Sequence, residues 1–333
     1  MIRLSNLVCG LFFLLVADLC GGQELPDAKQ LVDLYGQAIV GWDLQVSMKV
    51  QTSVYFTGDL RPDPDVGCRK AEFIHRRSGE QAEWFGVVTY FEDDGTDVPL
   101  YTRQFRHVMD DTRSVNASRV PSHESVFHGS VTDTGYAKEL LYYSAEPYRG
   151  GFLHGPLDGS GEARNVADLL SKSDSLRVAS RENIRGTDCY VLTADTKCGT
   201  VSAWIAPDLG HNALRVELVK NKPHHLFREG VLLKGSPLNE FSLVIDSIDV
   251  QRVGDVFVPV SGECRTTHTL SGGERRETRI EVKRSDIDLN PDFKALGAFA
   301  LNFPDGSKIQ HLDFDGANYE VQGGKLVPRM WMS

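Results

Sequence analysis

The stretch from Ile184 to Val219, IRGTDCYVLTADTKCGTVSAWIAPDLGHNALRVELV, constrains the fold more than any other part of the chain. Gly186-Thr187 reads as a turn. Cys189 to Ala194 follows as a strand, with Cys189, Val191 and Thr193 on one face and Tyr190, Leu192 and Ala194 on the other. Thr196 to Gly199 is a second turn, after which Val201, Ala203 and Ile205 alternate with Ser202 and Trp204. Pro207-Asp208-Leu209-Gly210 has the residues of a reversing turn. In the third strand Leu214, Val216 and Leu218 take one side, Arg215 and Glu217 the other. Period-two alternation between short turns specifies adjacent antiparallel strands, one face more apolar than the other. The stretch is a β-meander.

A chain of 333 residues, 41% hydrophobic and 25% charged, can build a sizeable core without disulfides. Its formal net charge of −10 argues against broad nucleic-acid binding or a polybasic membrane-surface role, because both need clustered Lys and Arg. Residues 1–22 read as a signal peptide: Arg3, then a near-continuous apolar run from Leu7 to Val16, too short to span a bilayer, with Cys20 and Gly22 before a cut at Gln23. Lipidation at Cys20 is the alternative, and Leu19 fits it poorly. The expectation is export to the periplasm or cell envelope, with no membrane span in the mature chain. Cys68, Cys189, Cys198 and Cys264 remain after cleavage, and four cysteines in an exported chain permit disulfides. Buried or unpaired thiols are the other reading, and spacing does not decide between them.

Leu25 to Val40 reads as a helix. Pro26 and Asp27 suit its start, and Leu31, Leu34, Tyr35, Ala38 and Ile39 make one apolar face. Strands are expected over residues 44–56, 69–77, 83–91 and 101–109. Residues 110–161 look irregular, in the manner of a lid or binding loop. Asn165 to Lys172 reads as a short second helix with Asn165 as its cap. After the meander, Phe241–Arg252 and Val256–Leu270 form a hairpin through Val253-Gly254-Asp255, and Glu274–Arg284 pairs next. Pro304-Asp305-Gly306-Ser307 and Gly323-Gly324 mark turns between short strands in a C-terminal extension of about residues 291–333. The resulting expectation is a mainly β (α+β) domain over residues 23–333. Ten to twelve antiparallel strands would form a strongly curved half-barrel sheet wrapping one or two helices, so that both apolar faces are buried.

Three passages resemble exported proteins of the lipoprotein-carrier superfamily, the periplasmic carrier and outer-membrane receptor of bacterial lipoprotein sorting. They are DAKQLVDLYGQAI followed by LQVSMKV; NIRGTDCYVLTAD with TVSAWIAPDLGHNALRVEL; and VIDSIDVQRVGDVFVPVSGE with ETRIEVKRSDIDLNPDF. The tail FPDGSKIQHLD through YEVQGGKLVP is similar to large exported members of planctomycete-type bacteria. The resemblance implies an open half-barrel with helices on its concave side and an apolar cavity for acyl chains between them. It covers about two thirds of the chain, which is longer than the small carriers, and no family functional residue maps onto a position here.

The candidate ligand-lining residues are Leu31, Tyr35, Tyr190, Leu192, Trp204, Leu214 and Val216. Trp204 reads as a cavity wall or as core packing against the first helix. His224-His225 is the obvious metal or base pair, but neighbours in an extended chain point to opposite faces. Glu92–Asp97 and Asp313-Phe314-Asp315-Gly316 lack the alternating oxygen ligands and closing Glu of a calcium loop. Ser160 sits in Gly-Ser-Gly without the nucleophile-elbow pattern, and no phosphate loop or dinucleotide fingerprint is present. The reading is a non-enzymatic carrier or sensor without cofactor or metal, whose partner is a lipid or an acylated protein. Two alternatives stand beside it: a cell-envelope interaction protein with a filled core, and a hydrolase using residues 110–161.

Overall fold

The computed structural model describes residues 25–40, 44–57, 69–78, 81–91, 98–109, 112–133, 166–196, 199–221, 231–232, 236–312 and 317–329. Within these residues two α-helices, α1 (Ala28–Val40) and α2 (Val166–Ser171), accompany an extensive sheet. Its first six strands are β1 (Leu44–Thr57), β2 (Arg69–Ser78), β3 (Gln81–Phe91), β4 (Pro99–Met109), β5 (Arg113–Arg119) and β6 (His128–Asp133). After α2 come β7 (Arg177–Ile184), β8 (Thr187–Thr196), β9 (Gly199–Ala206), β10 (Asn212–Asn221), β11 (Val231–Leu232), β12 (Ser236–Val253), β13 (Val256–Leu270) and β14 (Arg275–Leu289). The last three are β15 (Lys308–His311), β16 (Asn318–Gln322) and β17 (Lys325–Pro328).

The pairings place the strands side by side in the order β7-β8-β9-β10-β12-β13-β14-β1-β2-β3-β4-β5-β6-β15-β16-β17. The two-residue β11 pairs with the start of β12. Every pairing is antiparallel except β6 with β15, which is parallel. The fold is mainly β, one large open curved sheet, as expected, but the described residues form seventeen strands where ten to twelve were foreseen. Part of the difference lies in residues 110–161. Their first portion is the hairpin β5–β6 rather than irregular chain, and β15 to β17 extend the sheet beyond it. Residues 134–165, including Ser160 and the Asn165 cap, lie outside the described residues.

The first helix forms where its apolar spacing predicted. Asp27 caps it: its side-chain Oδ1 accepts from the Gln30 amide at 2.8 Å and its carbonyl from the Leu31 amide at 3.1 Å. Leu31, Val32 and Tyr35 turn inward. In α2, Val166, Ala167, Leu169 and Leu170 are buried. Each helix packs on the other, α1 also on β10 and α2 on β8. Both join a single core with residues of β1, β2, β3, β8, β9, β10 and β12 to β14, and this defines the inner face of the sheet.

The meander is present, with two corrections. The first turn is Arg185-Gly186, one residue earlier than expected. Both residues have positive φ (51° and 89°), the conformation of a two-residue hairpin that matches strand twist, and Asn183 Oδ1 accepts from the Gly186 amide at 2.9 Å. The second correction lies in β10. Ala213 pairs with Ile205 and Arg215 with Trp204, so Leu214 is an extra residue in a β-bulge. One inserted residue reverses the phase of all residues before it. Ala213, Val216 and Leu218 therefore face the inner core, while Leu214 joins Cys189, Val191, Trp204 and Ala206 on the outer face.

Candidate functional site: the inner face of β2, β3 and β4

The seven residues predicted to line a ligand divide between the two faces. Leu31, Tyr35, Leu192 and Val216 are on the inner side, 0–4% exposed, and Tyr190 is half-buried beside them. This part of the interior is closed by the protein's own side chains. Trp204 and Leu214 stand on the outer face, which corrects both readings of Trp204, as a wall of the inner cavity and as packing on the first helix, and the expectation that Leu214 shares a side with Val216. Trp204 Nε1 donates to Glu182 Oε2 at 2.8 Å, and the Arg215 guanidinium lies 5.1 Å from the ring centroid. That combination satisfies a half-polar ring at a strand surface.

A different part of the inner face carries chemistry the sequence did not single out. The registers of β2, β3 and β4 align their inward residues in rows across the three strands. From one end these rows are Tyr90 with Tyr101; Ala71, Val88 and Arg103; Phe73, Gly86 and Phe105; His75, Trp84 and His107; and Arg77, Ala82 and Met109. Tyr90 and Tyr101 stack with centroids 4.5 Å apart, and the Arg103 guanidinium lies 6.0 and 5.8 Å from the two rings. Phe73 and Phe105 meet edge-on at 5.8 Å over Gly86. A Cβ on Gly86 would strike the Glu72 carbonyl and the Phe73 backbone, so glycine is what lets the flanking rings close over the strand. Tyr90, Tyr101, Arg103, Phe105 and Met109 are half-buried, so this apolar surface is less completely covered than the helix-capped region.

The fourth row is polar and deep. His75 stacks on Trp84, with centroids 5.0 Å apart and planes 3° from parallel, and Trp84 meets His107 at 5.1 Å. His107 Nε2 shares a 2.6 Å hydrogen bond with Ser114 Oγ. His75 and Trp84 are 4% and 5% exposed, yet both ring nitrogens of His75 and the Trp84 Nε1 lack a hydrogen-bond partner among the described residues. An unmet buried donor or acceptor costs roughly 1–3 kcal/mol. Burial, and then the charges of Arg284 and Arg77, push the His75 pKa down to about 3, so this imidazole is neutral at physiological pH. Burial and the nearby charge of Arg77 lower Arg284 to about 10, and its Nη1 donates to the Pro259 carbonyl at 3.1 Å. Arg284 stands on β14 in line with Met48 and Phe73, one row from His75.

The outer face of the same strands also buries charge. Glu83, 0% exposed, accepts from Arg76 Nη1 at 3.1 Å, from Arg106 Nη2, and from the Phe299 amide at 3.3 Å. Arg76 Nε in turn donates to Gln45 Oε1 at 2.8 Å, and both guanidinium groups lie over Phe85. Further along this face Phe303, Ile309 and Val321 of the C-terminal extension pack on Val115, Ala117 and Val131.

Cys189 and Cys264 are free and buried on opposite faces, Cys189 outer and Cys264 inner, which is the buried-thiol alternative for these two. Burial pushes Cys189 up to about 11 and Cys264 up to about 12, aided by neighbouring carboxylates, so both remain thiols. Cys68, Cys198, His224, His225, Glu92–Asp97 and Asp313–Gly316 lie outside the described residues. Among the described residues no three His, Cys, Asp or Glu side chains gather in a way that could hold a metal ion, and no helix is long and apolar enough to cross a membrane.

The registers explain why the sequence did not reveal the polar row. His75, Trp84 and His107 are separated by nine and twenty-three residues and meet only because β2, β3 and β4 pair in this alignment. The one local signal is that each occupies the apolar phase of its strand.

No family model matches the sequence, and no curated protein matches it. Among solved structures, LprF from Mycobacterium bovis aligns over 80% of this chain and 95% of its own, with 11% identity and a TM-score of 0.28. The ywiB protein of Bacillus subtilis aligns over 73% of this chain and 93% of its own, with 5% identity and a TM-score of 0.18. Values this low assign no family.

Proposed function

We propose that the protein is an exported, non-enzymatic carrier or sensor that holds an apolar ligand, such as a lipid acyl chain, against the inner face of its sheet. One observation carries the reading. The rows from Tyr90–Tyr101 to Phe73–Gly86–Phe105 form a half-buried aromatic surface continuous with the core beneath α1 and α2. From the Tyr90 row to the Trp84 row the strand runs six residues, about 20 Å at ~3.4 Å per residue. Each methylene moved from water onto such a surface contributes about 0.8 kcal/mol, so a long acyl chain gains enough to be held without covalent chemistry, after the cost of ordering it. The sequence resemblance to lipoprotein carriers and the reading of residues 1–22 as a signal peptide agree with this proposal. The ligand's place is the β2–β4 region rather than the helix-capped residues first expected to line it.

Native mass spectrometry of the mature protein from its own envelope fraction, before and after solvent extraction, tests the proposal. A reproducible extra mass that extraction removes, identified as a lipid, is the expected result. A clean unliganded mass would shift weight to a second reading, a cell-envelope interaction protein with a filled interior. The complete burial of Tyr35, Leu170, Leu192, Ile205 and Leu218 between the helices and the sheet favours that second reading.

A further inference from the structure

We infer that the row of His75, Trp84 and His107, flanked by Arg77 and Arg284, is a subsite for an oxyanion, a carboxylate or a phosphate borne on the end of the apolar ligand. The inference rests on the carrier reading and names the ligand's polar end.

Three observations converge on it. The first is the set of orphaned polar atoms. His75 and Trp84 are almost wholly buried, stacked and held by their strands, and they present an indole N–H and an imidazole N–H with no acceptor among the described residues. Buried donors in folded proteins are met, and those that are not commonly await a ligand or water. The second is charge. Burial first, and then the charges of Arg284 and Arg77, disfavour protonation of His75, so two cations act on this row while the imidazole itself is neutral. An anion relieves their field, whereas a cation or a neutral head does not. The third is continuity. The row adjoins Phe73 and Phe105, so an apolar chain lying over the aromatic surface would bring its terminal group to Trp84 and His75 without crossing exposed solvent. Charge-assisted hydrogen bonds from N–H donors to an oxyanion are among the strongest available to a side chain. No bond is made or broken, and the site would bind its ligand reversibly.

Isothermal titration calorimetry on the mature, solvent-extracted protein separates the alternatives, with hexadecanol, palmitate, hexadecyl phosphate and inorganic phosphate as probes. The expected result is that palmitate or hexadecyl phosphate binds about tenfold or more tightly than hexadecanol. The tighter of the two names the headgroup as carboxylate or phosphate. The variants Trp84→Phe and His75→Phe keep the stacked rings and remove the donors. They are expected to remove the preference for the anionic probe, so that it binds each variant about as tightly as hexadecanol does, with thermal unfolding confirming the fold. Trp84→Phe carries the test if His75→Phe unfolds. Equal binding of hexadecanol and the two anionic probes would overturn the subsite and leave the carrier reading standing. If no alkyl probe binds, inorganic phosphate decides. Binding that is lost in Trp84→Phe would support an anion subsite without an acyl carrier, and absence of phosphate binding would overturn the subsite as well.

Discussion

The two faces of β2–β4 bury polar groups at the same depth and treat them in opposite ways. On the outer face Glu83 is inaccessible to solvent, but two guanidinium groups and a backbone amide serve it; Arg76 is itself held by Gln45, and both arginines lie over Phe85. On the inner face His75 and Trp84 are equally deep, and their nitrogens have no partner among the described residues. A buried charge with complete partners is how a fold ties two segments together, here the sheet and the C-terminal extension at Phe299. A buried donor without one is a cost that folding alone does not explain. The difference separates a structural polar cluster from a binding one within three strands.

The largest expected effect breaks the outer cluster. Glu83→Leu removes the carboxylate that Arg76 and Arg106 share, so unfolding by urea should show a loss of roughly 3–5 kcal/mol. A loss below 1 kcal/mol would mean that the cluster is not the tie between sheet and extension.

The next effect belongs to the inner face and depends on pH. The folded pKa of His75, about 3, lies below its ordinary value near 6.5, so between these values the unfolded chain binds the extra proton. Stability from this group is therefore full above pH 6.5 and declines as pH falls toward 3. Between pH 7 and pH 4 the decline should be on the order of 3 kcal/mol, and His75→Phe should remove that component of the slope. An unchanged slope in the variant would show that other groups carry it.

Gly86→Ala probes how tightly the aromatic rows close. Its methyl meets the Phe73 backbone, and a cost of roughly 1–3 kcal/mol in thermal unfolding is expected. Outside both clusters, Trp204→Phe removes one hydrogen bond to Glu182 at the outer surface and should cost about 1 kcal/mol. Should this last substitution also change ligand affinity, the assignment of the site to the inner face would need revision.

Much of the architecture is written in local patterns. The Asp27-capped helix, the three-strand meander and the long β12–β13 hairpin all follow from spacing and turn chemistry within a few residues of each other. What failed was information that is not local. The bulge at Leu214 leaves the sequence alternating as before, and only the pairing of Ala213 with Ile205 and Arg215 with Trp204 shows the change of phase. Strands β5 and β6, with Arg113-Ser114 and Asn116 at one and His128-Gly129-Ser130 at the other, lack the β-branched runs that signal a strand, and their pairing sustains them. The polar row is hidden for the same reason, since a lone His in an apolar phase is ordinary and three such positions become a site only through register.

The pairing of β1 with β14 also has a consequence for how the chain reaches this state. Each side of that seam is a run of sequence-neighbouring antiparallel strands, β2 to β6 on one side and β7 to β10 with β12 to β14 on the other, so most of their pairings are local. The seam itself joins Leu44 to Leu289 and Thr57 to Arg275, contacts that close most of the chain into a loop. Closing it costs entropy before the seam returns any hydrogen bond, which makes this pairing, like that of β6 with β15, a slow event in folding. Until β14 emerges from synthesis and arrives, the far edge of β1 is a long unpaired strand open to other chains, and the time spent in that half-assembled form governs how readily the protein aggregates.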